Sequence, residues 1–149
     1  MAAGGGLGNR PPSAPGEVGA EANAQPPAEM RVVRLDELPS SGAAHELVGA
    51  DHDVDVSLIF VDAAPGRGPT LHKHGYPEVF ITLAGRALFV AGDEQREVGA
   101  GEIVIVPPDT PHRFENSGSE PLRQINIHVS PRFMTEWLTD AAEPAGSSE

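Results

Sequence analysis

The chain has 149 residues, no cysteine and a formal net charge of −12 at pH 7, with 22 acidic side chains against 10 Lys and Arg. Such a balance repels nucleic acid and anionic lipid, and the missing thiols exclude disulfides, thiolate metal sites and cysteine nucleophiles. Small molecules or proteins remain as partners, one modest core is the most this length builds, and any bound metal has to use His and carboxylates.

Residues 1–29 are nearly all Ala, Gly, Pro, Asn, Gln and Glu. They carry too little apolar surface to offset chain entropy and are read as a disordered tail. They lack the basic and apolar regions of a secretory signal, and no window is apolar enough for a membrane span, so the expected location is the cytoplasm. The folded unit is expected over 30–140, followed by a frayed stretch at 141–149.

From Arg31 the pattern becomes short β-branched runs broken by Gly, Pro and Asp every 8 to 12 residues, the cadence of an all-β sandwich or barrel. Strands are predicted at 31–35, 44–48, 54–62, 78–85, 86–92, 95–98, 102–107, 112–116 and 122–130. Gly92 and Asp93 should turn a hairpin, both with positive φ. After the last strand, Ser130 suits an N-cap and Pro131 the first helical position, with Phe133, Met134, Trp137 and Leu138 on one face, which predicts a short C-terminal helix.

Within this pattern, His72 and His74 stand one residue apart and Glu78 shares their parity. If the chain through Gly75, Tyr76 and Pro77 stays extended, all three side chains point to one side of a strand. A second segment runs from Gly101 through a buried strand and a Pro-rich turn to His112, which offers a fourth donor.

These two segments resemble the two motifs of the cupin superfamily, a small antiparallel β-barrel or jelly roll. In the first, Gly66, His72, His74, Glu78 and Gly85 match with intervals of five, one, three and six residues; in the second, Gly101, Pro107, His112 and Asn116 match. One position departs: Asp109 stands where the second motif has glycine. Asp tolerates the left-handed region better than most residues, so the departure questions the turn type and not the ligand.

The resemblance implies a single-domain cupin in which His72, His74, Glu78 and His112 bind one divalent transition metal (Fe, Mn, Ni, Cu or Zn). It also implies a homodimer. Three neutral imidazoles and one carboxylate suit such a borderline ion and leave coordination positions open. His45 and His52, in polar surroundings, are read as solvated surface.

Counting by twos puts Phe80, Thr82, Phe114 and Asn116 toward the barrel interior, as core filling or as pocket wall. Tyr76 shares the parity of His74 and offers a phenol near the site, unless Gly75 bulges the strand. On the last strand Gln124, Asn126 and His128 alternate with Ile125, Ile127 and Val129. The usual rule buries the isoleucines, whereas a catalytic barrel needs polar groups near its metal; the second arrangement makes His128 a pocket acid or base beside Asn126.

The function favoured at this level is a metal-dependent dioxygenase acting on a small organic, aromatic or enolisable substrate, with Glu78 and His128 as its proton-handling groups. The rivals are a redox-silent isomerase, cyclase or lyase, and a small-molecule-binding cupin without turnover.

Overall fold

The computed structural model describes residues 29–139. The expected tail, apart from Glu29, and the stretch 141–149 lie outside them. Chain contacts divide the molecule after Val32, and the unit that begins at Val33 carries every feature below.

Eleven strands are described: β1 (Ser40–Ser41), β2 (Ala44–Leu47), β3 (Ser57–Ala63), β4 (His72–Lys73), β5 (Glu78–Ala84), β6 (Arg86–Ala91), β7 (Glu94–Gly99), β8 (Ile103–Val106), β9 (His112–Asn116), β10 (Leu122–His128) and β11 (Glu136–Trp137). They form two antiparallel sheets, ordered β1-β2-β3-β10-β5-β8 and β11-β4-β9-β6-β7. Among the described residues no helix is long and apolar enough to cross a membrane.

The period-two reading holds where both sheets turn apolar side chains inward. Val61, Phe80, Val106 and Leu122 of the first sheet meet Ala87, Phe89, Val98 and Phe114 of the second in one core. Phe80, Phe89 and Phe114 form an aromatic triangle with ring centroids 4.9, 5.3 and 5.8 Å apart. Its edge-to-face and stacked contacts add attraction beyond burial. Phe80 also meets the His112 ring at 5.8 Å, so this apolar end of the interior directly supports the polar end.

Two turns fix how the motif strands enter. Gly85, between β5 and β6, has φ 84°, and a Cβ there would stand 2.7 Å from the Pro121 carbonyl oxygen. Both the backbone conformation and the space require glycine. Asp109 adopts φ 60°, the left-handed conformation of the glycine it replaces, and its N–H donates to the His74 carbonyl at 2.7 Å. The motif turn survives the substitution and ties the two motifs together.

Three sequence expectations are corrected. Residues 31–34 form no strand, and Leu35–Glu37 is a 3-10 turn. The Glu37 N–H donates to Arg34 O, and the Arg34 guanidinium grips Asp36 at 3.0 and 3.1 Å, so local polar contacts outcompete a ladder. At the hairpin only Gly92 has positive φ (57°), as in turns whose first central residue alone is left-handed. The expected C-terminal helix is absent: 131–135 is irregular and Glu136–Trp137 pairs with β4. The barrel takes the backbone groups that a helix would use. Ala50 N–H bonds Pro131 O, Met134 N–H bonds the Tyr76 hydroxyl and Leu138 N–H bonds Leu71 O.

Candidate metal centre

Burial alternates strictly through His72, His74, Tyr76, Glu78 and Phe80, with each of these buried. The inward parity therefore persists across Gly75 and Pro77, although regular strand pairing stops between β4 and β5. His112 opens β9 directly opposite His72 on β4, which brings the second motif to the first. One ligand atom from each of His72, His74, Glu78 and His112 lies within 4.8 Å of the others, all four residues being buried. The cluster fits a single metal site.

The hydrogen bonds assign the imidazole protons. His72 Nδ1 donates to Thr70 O at 2.6 Å, His112 Nδ1 to Thr110 O at 2.8 Å and His74 Nδ1 to Met134 O at 3.2 Å. Each ring so held turns its Nε2 inward, the arrangement that orients a metal-ligating histidine. His74 Nε2 stands 3.1 Å from Glu78 Oε1 and His112 Nε2 3.2 Å from the same oxygen. His74 Nε2, like His128 Nε2, has no aligned hydrogen-bond partner despite lying close to the carboxylate. Imidazole nitrogens and a carboxylate that converge in a dry interior suit a cation.

His128 differs from the other three in the partner of its Nδ1. Tyr76 Oη accepts from the Met134 N–H at 3.2 Å and hydrogen-bonds His128 Nδ1 at 2.9 Å. His128 Nε2 stands 3.0 Å from Glu78 Oε2. An imidazole held between a phenol and a carboxylate is placed to pass a proton between them.

Burial raises the Glu78 carboxyl, but the imidazoles of His112, His128 and His74 outweigh burial and hold it well below the usual carboxylate range. Burial, and next the neighbouring His112, lower His72 from 6.5 to about 4. The Tyr76 phenol is raised by burial and by the Glu78 charge, against the opposing pull of the Met134 N–H.

The His72 shift carries a stability consequence. Its folded pKa lies below its unfolded value, so its contribution is complete above pH 6.5 and is lost as pH falls to about 4. A shift of that size corresponds to on the order of 3 kcal/mol. Urea midpoints of the metal-free protein should fall across that window, and His72→Gln should flatten the fall. An unchanged pH profile in the variant would contradict the assignment.

A cavity of about 300 Å³ opens beside the cluster. Phe114, Asn126, His128, Glu78 and His72 line it, as do Glu46 and Ile59, which the sequence reading did not single out, and Phe133 and Trp137, which it gave to a helix. Phe80 and Thr82 are buried between the sheets, Tyr76 stands behind His128, and none of these three is on the cavity wall. Asn116 donates to Ala63 O and Glu120 O and holds the end of its own strand. His45 and His52 lie outside the cluster. Glu46 had no sequence signal, because its inward direction depends on β2 pairing with β3.

The sequence profile of the family described as Cupin domain matches residues 41–128. An uncharacterized protein of Streptomyces coelicolor is 32% identical over 108 residues, 68% of this chain and 98% of that protein. One from Methanocaldococcus jannaschii is 41% identical over 59 residues, 39% of this chain and 47% of its own length. Among solved structures, a Klebsiella pneumoniae protein with a double-stranded beta-helix domain superposes with TM-score 0.60 at 23% identity, over 75% of this chain and all of that one. Bacillus subtilis oxalate decarboxylase superposes with TM-score 0.63 at 23% identity, over 70% of this chain and 31% of that one.

Proposed function

This chain belongs to the cupin domain family, and from that premise we propose that it is a metal-dependent enzyme that oxidises a small, largely apolar organic substrate with dioxygen. The supporting observation is the convergence of three imidazoles and one carboxylate beside a cavity whose wall includes His72 and Glu78. His72, His74, Glu78 and His112 would hold the ion. When bound, it supplies Lewis acidity and, if redox-active, an electron route to oxygen. Ile59, Phe114, Phe133 and Trp137 exclude water from the substrate, and Asn126 orients it. Glu78 Oε2 accepts a substrate proton and His128 Nε2, 3.0 Å away, steadies or relays it, with Tyr76 fixing the ring.

The Tyr76–His128–Glu78 chain also serves a redox-silent isomerisation, cyclisation or elimination, in which proton transfer is the whole reaction. Oxygen dependence separates the two. Protein purified without a metal-binding tag should contain one transition metal per chain, and turnover of a panel of phenols and enolisable ketones should stop under anaerobic conditions. Equal rates with and without oxygen would select the redox-silent reading. Oxalate itself suits the cavity poorly, since no Lys or Arg stands on its wall among the described residues.

A second copy of the chain is the protein partner that we propose. The outer face of the larger sheet carries two apolar rows, Phe60–Ile125–Ile81–Ile103 and Leu58–Ile127–Val79–Ile105. Ile103 and Ile105 are 59% and 69% exposed. No charge interrupts the rows in a chain of net charge −12, so two such faces pack against each other without ionic repulsion. Sedimentation equilibrium should give twice the chain mass, and Ile81→Lys should give the monomer with metal content unchanged. A monomeric wild type would refute this.

A further inference from the structure

The inner face of the larger sheet places a second recognition point at the far end of the cavity. Glu46 lies opposite Ile59, and Ile59 opposite Asn126; in the adjoining inward row Ser57 lies opposite His128, and His128 opposite Glu78. Glu46 and Asn126 thus bracket Ile59 from two strands apart, about 10 Å at ordinary strand spacing, with the metal cluster beside the Asn126 end. Asn126 Oδ1 is buried without a hydrogen-bond partner, its residue 2% exposed. Glu46 lines the same cavity. Apart from Glu78 and the histidines, Glu46 is the only acidic or basic side chain on the described wall.

A carboxylate on a cavity wall that has no Lys or Arg among the described residues attracts a hydrogen-bond donor and repels an anion. We propose that Glu46 makes the cavity selective for a small apolar molecule with a donor, a hydroxyl or an ammonium group, on the end away from the metal, and that it excludes carboxylates from that end. The near end of this picture rests on the metal-dependent reading above; the far end rests on the placement of Glu46.

Four probes share one chelating end and differ at the other: 4-ethylcatechol, 4-(2-hydroxyethyl)catechol, 4-(2-aminoethyl)catechol and 3-(3,4-dihydroxyphenyl)propionate. Calorimetry on the zinc-loaded full chain, in which no oxidative turnover occurs, should find the hydroxyl and ammonium probes at least about 10-fold tighter than the ethyl probe. The carboxylate probe should be weakest. Glu46→Gln should bring the ammonium and carboxylate probes within about threefold of each other. A carboxylate probe that binds as tightly as the ammonium probe, or a rank order unmoved by Glu46→Gln, would overturn the proposal. Preference for one donor probe over the other decides between hydroxyl and ammonium ligands. If 4-ethylcatechol binds no better with zinc than without it, the metal end is wrong, and the order of the four probes on metal-free protein still decides the far end.

Discussion

Glu78→Gln, reloaded to full metal occupancy, should turn over its substrate about 10²- to 10⁴-fold more slowly than wild type, the usual contribution of a positioned general base. Glu78 is 2% exposed, with Oε1 3.1 Å from His74 Nε2 and Oε2 3.0 Å from His128 Nε2. Glutamine keeps the volume and one acceptor oxygen. Its amide offers both a donor and an acceptor to the inward Nε2 atoms, so the barrel has no reason to unfold. What disappears is negative charge at the ion and basicity at the substrate, and excess metal restores only occupancy. Elemental analysis of the reloaded variant alongside kcat separates the two losses. Full turnover at saturating metal would reduce Glu78 to a replaceable ligand and transfer the base to His128.

His112→Ala should abolish metal-dependent stabilisation. His112 faces His72 across β4 and β9 and turns Nε2 to Glu78 Oε1 at 3.2 Å, so its loss removes one donor of four and leaves a void against Phe80. Removing even an outer partner of a metal ligand commonly costs 10- to 100-fold in affinity, and removing the ligand itself should cost at least about 100-fold. Wild type at a metal concentration 100 times its Kd gains about 2.7 kcal/mol by mass action, readable as a rise in Tm on metal addition. His112→Ala and His72→Ala should show almost none of that rise at the same concentration, whereas His45→Ala should match wild type. Retention of full occupancy by both ligand variants would show that the ion is held elsewhere.

These two residues illustrate how far the chain could be read before it was folded. His72, His74 and Glu78 share an inward face because side chains alternate along extended backbone, and that alternation needs no partner strand to operate. The spacing of His112 within the second motif placed it at the start of a strand, where β9 begins. Asp109 shows the same locality: its short polar side chain tolerates φ 60°, so the turn kept its form through a substitution.

The sequence by itself determined the all-β class, the parity of the first motif, the donor types and the exclusion of thiolate chemistry, because each follows from residue identity and from a local period. Tertiary structure decided which face of β10 turns inward. Polar and apolar residues alternate there equally well in either orientation, and only pairing between β3 and β5 commits Asn126 and His128 to the cavity and the isoleucines to the outer face. It decided that 131–138 yields its backbone groups to the barrel instead of coiling, since a short amphipathic helix is marginal unless packing rewards it. It alone brought Met134 O to His74 Nδ1 and the Tyr76 hydroxyl to His128 Nδ1, across 60 and 52 residues of chain, whereas His72 and His112 bond the carbonyl two residues before them.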